Sequence, residues 1–138
     1  MRIWSEKLIP VLLNKQLKAM RYELGDMIKQ YPNIKHPLVK FADNYDIVIL
    51  YNYFRCVLNE FDKRNINHNK SYDENIYNIA LNKTNWLDIP NKDNRLIFDE
   101  DNEEYLIICR WNLYEKHLRG IITDEEWQKI EDLFKEEI

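Results

Sequence analysis

Between Leu13 and Ile28 the apolar residues Leu13, Leu17, Met20, Leu24, Met27 and Ile28 recur three and four positions apart. At about 100° of rotation per residue this spacing gathers them on one side of an α-helix, and so long a stripe must be buried against other elements. The 138 residues include only 2 Gly and 4 Pro, fewer turn formers than an all-β chain with many turns requires. The sequence predicts an all-α, compact, single-domain helical bundle over residues 1–138. Its long first helix would run from Leu8 to Tyr31. Pro10 fits the first turn, where its missing N–H is no loss, and Pro32 drives the residue before it out of α conformation.

A connector over residues 34–44 leads to a second helix from Asp46 to Arg64. Ile49, Leu50, Tyr53, Phe54, Val57, Leu58 and Phe61 give it a broad apolar face, as a central, mostly buried helix has. Residues 71–97 are less regular. Tyr72, Tyr77, Ile79, Leu81, Trp86, Leu87 and Ile89 are scattered among Asn, Asp and Lys, which predicts short helical turns over the core with room for extended pieces. Acidic residues from Asp99 to Glu104 then suit the positive end of a third helix reaching Leu118. Gly120 ends that helix, and the capping-box sequence Thr123-Asp124-Glu125-Glu126 opens a short last one carrying Trp127, Ile130, Leu133 and Phe134 at helical spacing. The first helix is expected to pack on the 46–64 and 100–118 helices.

The net charge of −4 argues by itself against nucleic acid. It averages two unlike halves, however: residues 1–70 hold 12 Lys and Arg against 7 Asp and Glu, and residues 71–138 hold 8 against 17. Either the basic half contacts phosphates while the acidic half faces away, or the two neutralise each other across the fold. No apolar run approaches the roughly 18 residues of a membrane span, and Met1-Arg2 opens onto no signal-peptide core, so a cytoplasmic protein without a membrane partner is expected. Cys56 and Cys109 lie in apolar surroundings with no Cys-x-x-Cys spacing and read as buried free thiols. The run from Asp99 to Glu104 lacks the alternation and glycine of a calcium loop, so neither a metal nor another cofactor is expected.

Phosphate-binding glycine loops, nucleophile elbows and His-Glu-x-x-His helices are absent from the sequence, and His36, His68 and His117 read as surface or helix-end residues. The N-terminus remains as a source of chemistry. An α-amine has an ordinary pKa of about 7.7–8.0, so a usable fraction is free base at neutral pH and can attack the anomeric carbon of a nucleotide sugar. Seven residues apart on a helix, Gln16 and Glu23 differ by only about 20° and lie on the flank of the apolar stripe, between core and solvent. A carboxylate there could stabilise an iminium and move protons, and Arg2 and Arg21 could hold flanking phosphates.

Met1-Arg2-Ile3-Trp4, Leu8-Ile9-Pro10 and the run from Gln16 to Leu24 resemble the opening of the pyrimidine-dimer DNA glycosylase family, the endonuclease V type. Fainter similarity extends through Asn59–Arg64, Asp88-Ile89-Pro90 and the Glu104–Lys116 helix, so that residues 1–117 are glycosylase-like and 118–138 form an acidic helical extension. The resemblance implies a DNA glycosylase and AP lyase acting on damaged or abasic DNA through an imine. It makes the Met1 amine the nucleophile, since Arg2 is too bulky for normal methionine removal, and Glu23 the catalytic carboxylate. Arg2, Gln16, Arg21, Tyr22 and Lys116 become DNA contacts around a flipped-out nucleotide. The family's Arg-Glu pair reads Tyr22-Glu23 here, with Arg21 one position earlier and turned about 100° around the helix. The other reading is a non-catalytic helical protein of the same fold that binds a protein partner through its acidic C-terminal half.

Overall fold

The structure, a computed structural model, describes residues 3–85 and 98–137. These residues form a bundle of five α-helices and two 3₁₀ segments, with no strand among them. The helices are α1 (Asn14–Gln30), α2 (Ile47–Lys63), α3 (Lys70–Asn82), α4 (Glu103–Leu118) and α5 (Asp124–Glu137); the 3₁₀ segments are Glu6–Val11 and Pro37–Asn44.

The expected first helix is two elements. Glu6–Val11 winds as a 3₁₀ turn, Leu12 and Leu13 are extended, and α1 begins at Asn14. The break has a cause far along the chain. Arg64, at the end of α2, donates from Nη1 to the Leu12 carbonyl (2.7 Å) and Asn14 Oδ1 (2.8 Å), and from Nη2 to the carbonyls of Ile9 (3.2 Å) and Pro10 (3.1 Å). A continuous helix would use those carbonyls for its own ladder. Nε of Arg64 meets Glu60 at 2.8 Å, so the fork is itself held in place. Downstream, Gln16 accepts the Leu13 N–H at 2.9 Å and closes the start of α1.

The predicted stripe is the core face of α1: Leu17, Met20, Leu24, Met27 and Ile28 are each at most 2% exposed. It packs first on α2 and then on α3. The second of these differs from the expected 100–118 helix, because α1 and α4 face each other across a cavity rather than through close packing. At the far end of α1, Lys83 donates to the carbonyls of Ile28, Lys29 and Tyr31 at 2.7–2.8 Å, a cation at the negative end of the helix dipole.

α2 is the buried centre, as its wide apolar face predicts, with Ile47, Leu50, Phe54 and Val57 fully enclosed. Asp46 caps it through the Val48 N–H at 3.0 Å. α3 is a regular helix where irregular turns were expected. Its buried stripe is only Asp73, Ile76 and Ala80, so an aspartate stands where an apolar residue would have disclosed the period. Residues 86–97 of the same stretch lie outside the described residues. Asn102 caps α4 and Gly120, at φ +78°, ends it; the Gly120 N–H reaches the His117 carbonyl and the Ile121 N–H that of Lys116, each at 3.0 Å. Thr123 and Glu126 exchange hydrogen bonds at 2.9 and 3.2 Å to open α5, the capping box read from the sequence. α5 buries Ile130 and Phe134 and packs on the first 3₁₀ turn and α4. Cys56 and Cys109 are buried and form no disulfide. No helix among the described residues is long and apolar enough to cross a membrane.

Two outcomes follow from these contacts. Arg64→Met should lower stability by about 3 kcal/mol in urea denaturation, and Arg64→Lys should recover less than half of that, because an ammonium cannot fork to several carbonyls. Burial pushes the Asp101 carboxyl above its ordinary value of 3.8, against the hydrogen bonds from Glu6 and Ser5. The ionised form therefore weakens the fold: its penalty is absent below the unfolded value and grows as pH rises through the raised folded one. Asp101→Asn, which keeps an oxygen for the Glu6 N–H, should melt at or above the parent at neutral pH, with the gap closing below about pH 4.

Candidate active site

The segment leading into the first 3₁₀ turn is anchored by side chains rather than by a backbone ladder. Ile3, Trp4 and Ser5 are all buried. The Tyr53 hydroxyl, from α2, donates to the Trp4 carbonyl, and the Tyr105 hydroxyl, from α4, donates to the Ile3 carbonyl. Asp101 accepts the Glu6 N–H at 2.9 Å. Three side chains, one from α2 and two from the start of α4 and the turn before it, thus hold residues 3–6. Met1 and Arg2, expected as nucleophile and phosphate contact, lie outside the described residues.

Beside this segment α1 and α4 flank an open cavity of about 310 Å³. Trp4, Met20 and Leu38 give it apolar wall; Gln16 and Glu23 line it from α1, and Asn112, Glu115 and Lys116 from α4. Gln16, Glu23 and Lys116, three residues singled out from the sequence, are therefore brought together. The half-buried state of Gln16 and Glu23 matches their expected place on the flank of the stripe.

The polar groups differ in how far they are already committed. Gln16 Oε1 holds the Leu13 N–H, so its amide N–H groups are what remain for a ligand. Glu115 pairs with Arg119 at 2.9 Å, and Asn112 donates back to the Ile108 carbonyl at 2.9 Å, which leaves its carbonyl oxygen. Glu23 makes no hydrogen bond or ion pair among the described residues. A half-buried carboxylate in that position can accept a proton or face a developing positive charge.

Arg21 and Tyr22 lie elsewhere. Arg21 is 3% exposed and faces α3, where Nε and Nη2 meet Asp73 Oδ1 at 2.9 and 2.8 Å and Nη2 also reaches the Asn69 carbonyl at 3.0 Å. Its guanidinium is a structural ion pair, not a surface phosphate grip. Tyr22 is exposed on the outer ridge of α1, about 100° around from Glu23. His68, expected at the surface or a helix end, stands just before α3 with a side chain only 4% exposed, bonded to Asp73 through Nδ1 and to Asp62 through Nε2 at 2.9 Å. Among the described residues no three His, Cys, Asp or Glu side chains are grouped to hold a metal ion.

Trp4, Leu38, Asn112 and Glu115 were not singled out as site residues. Asn112 and Glu115 stand four and one positions before Lys116, so a helical reading from Lys116 would have found the first on its face. Nothing in the sequence marks Leu38.

The described residues thus form an all-α bundle in which a carboxylate, a carboxamide and a lysine line one cavity beside a segment anchored by tyrosine hydroxyls. The family is shown by comparison: the family model for pyrimidine dimer DNA glycosylase matches residues 1–74, just over half of the chain, and the chain belongs to that family of DNA-glycosylase-type repair proteins. No curated protein and no solved structure gives a match. The matched part includes the first 3₁₀ turn, α1 and α2; Asn112, Glu115 and Lys116 lie beyond it.

The assignment of Arg21 has a measurable consequence. Arg21→Met should cost about 3–5 kcal/mol in urea denaturation by stranding Asp73, and Arg21→Met with Asp73→Leu should regain part of it.

Proposed function

We propose that this protein is a DNA glycosylase with AP lyase activity, acting through an imine between the Met1 α-amine and C1′ of a damaged or abasic nucleotide. The observation that carries this reading is the placing of Glu23 in a cavity whose wall includes Trp4. Three residues separate Trp4 from the terminus, a reach of about 10 Å at most, and Tyr53 and Tyr105 fix the carbonyls from which that reach is measured. The amine attacks C1′ as the free base and the damaged base departs with the bonding electrons; the attached nitrogen gives up a proton, the C1′–O4′ bond then breaks with O4′ taking up a proton, and the opened sugar is left as an iminium. Glu23 stabilises the cation and takes a proton from C2′, and the 3′-phosphate leaves by elimination. Lys116 and the amide N–H groups of Gln16 are donors suited to phosphate or sugar oxygens on opposite walls. Trp4, Met20 and Leu38 offer an apolar face to a nucleotide turned out of the helix.

A second reading has its own observation. The outward face of α4 exposes Ile107, Ile108, Trp111 and Leu118, next to the acidic residues Glu103, Glu104 and Glu115. A partner-binding protein that retains the fold without catalysis would use that face.

The two separate on one experiment. Borohydride reduction in the presence of abasic-site DNA should trap a covalent adduct, N-terminal acetylation should abolish it, and Glu23→Gln should slow its formation by about 10²- to 10⁴-fold. An absent adduct, or one that survives both changes, would overturn the catalytic reading and favour the other.

A further inference from the structure

Tyr22 is 56% exposed, yet its ring is braced from behind. The Arg21 guanidinium carbon lies 5.2 Å from the Tyr22 ring centroid and 4.6 Å from that of Tyr72, and the two rings stand 5.3 Å apart at 58°. Arg21 cannot drift, because Asp73 and the Asn69 carbonyl hold it, and Asp73 is held in turn by His68. Tyr72 lies so close over α1 that a Cβ on Gly25 would sit 2.1 Å from its hydroxyl oxygen, which accounts for a glycine in the middle of that helix. Lys29 approaches the Tyr72 ring at 5.4 Å.

An exposed aromatic ring is ordinarily free to move, and a ligand must order it on binding. Here one side of the ring is already packed before any ligand arrives, by a cation–π contact with the ion-paired Arg21 and a tilted contact with the Tyr72 ring, which Arg21 also covers. The neighbours on the same ridge also matter. Lys15 and Lys18 are exposed seven and four positions before Tyr22, within about 20° and 40° of it around the helix, while Asp26 stands four positions after. Cations thus line the ridge on one side of the ring and a carboxylate on the other. A phosphate backbone would run from Tyr22 toward Lys18 and Lys15, with bases free to meet the ring.

We propose that Tyr22 is a stacking platform for an unpaired nucleobase next to the nucleotide in the cavity, and that it makes the protein select DNA with unstacked or unpaired bases over intact duplex. The proposal rests on the DNA reading above. The residue that stands in the family's arginine position would then stack on a base, an interaction any base can satisfy, instead of contacting a phosphate.

The test uses a duplex with a tetrahydrofuran abasic analogue, which cannot form an imine, and 2-aminopurine beside or opposite it. Binding to the full-length protein should quench the 2-aminopurine. Tyr22→Leu should remove the quenching and weaken binding by about 5- to 150-fold, the range that base–aromatic stacking spans, whereas Tyr22→Phe should keep both. Intact duplex should bind Tyr22→Leu and the parent alike. Thermal melting of the leucine variant should stay close to the parent's, since more than half of the replaced side chain is exposed. Quenching and affinity unchanged in Tyr22→Leu, or equal loss in the leucine and phenylalanine variants, would overturn the platform. Binding and quenching without any borohydride adduct would leave the platform standing and remove the catalytic reading. A parent protein that binds neither DNA would overturn the platform together with the DNA reading.

Discussion

Arg64 is the contact on which the arrangement of the N-terminal half depends. It is one side chain at the end of the central helix, and it collects three backbone carbonyls, Asn14 and Glu60. Those carbonyls belong to a segment that would otherwise extend α1 by two turns. By satisfying them from outside, Arg64 lets the chain bend between Leu12 and Leu13, so that residues 3–11 cross the bundle instead of projecting from it. Ile3, Trp4, Leu8 and Ile9 consequently become core residues. Only a planar fork with several donors could serve so many acceptors, which is why the position needs arginine rather than lysine.

With that bend fixed, α1 presents a different function on each successive face. One face is the core stripe. The flank beside it carries Gln16 and Glu23 into the cavity, and the opposite flank carries Arg21 against Asp73 of α3. Gln16 does two things at once, closing the helix start with its oxygen while its nitrogen remains at the cavity. α4 supplies the other wall, so the cavity is completed by residues beyond the segment that the family model matches.

What could be read from the sequence was what depends on near neighbours. The α1 stripe, the bounds of α2 from Asp46 to Arg64, the acidic start of α4 and the Thr123–Glu126 cap are all written in spacings of three and four, and each is found in place. Gln16, Glu23 and Lys116 line one cavity; helical spacing put the first two on one flank, whereas Lys116 was singled out only by the family resemblance. The break at Leu12 was hidden because its cause sits some fifty residues away. α3 was hidden because its core stripe contains Asp73, which is paired with Arg21, 52 residues earlier, and with His68. The same pairing explains why Arg21 reads as a phosphate contact in the sequence and is a buried ion pair in the fold: a charged residue on a helix flank gives no local sign of its partner.

Anchoring the start of the chain by tyrosine hydroxyls has a consequence for how the protein would respond to its surroundings. A hydroxyl ceases to donate only when it ionises, and burial drives the Tyr53 phenol well above its ordinary value of 10.0. An α-amine changes charge near neutrality, some two units lower. The grip of Tyr53 on Trp4 is thus constant over the whole range in which the terminus gains or loses its proton.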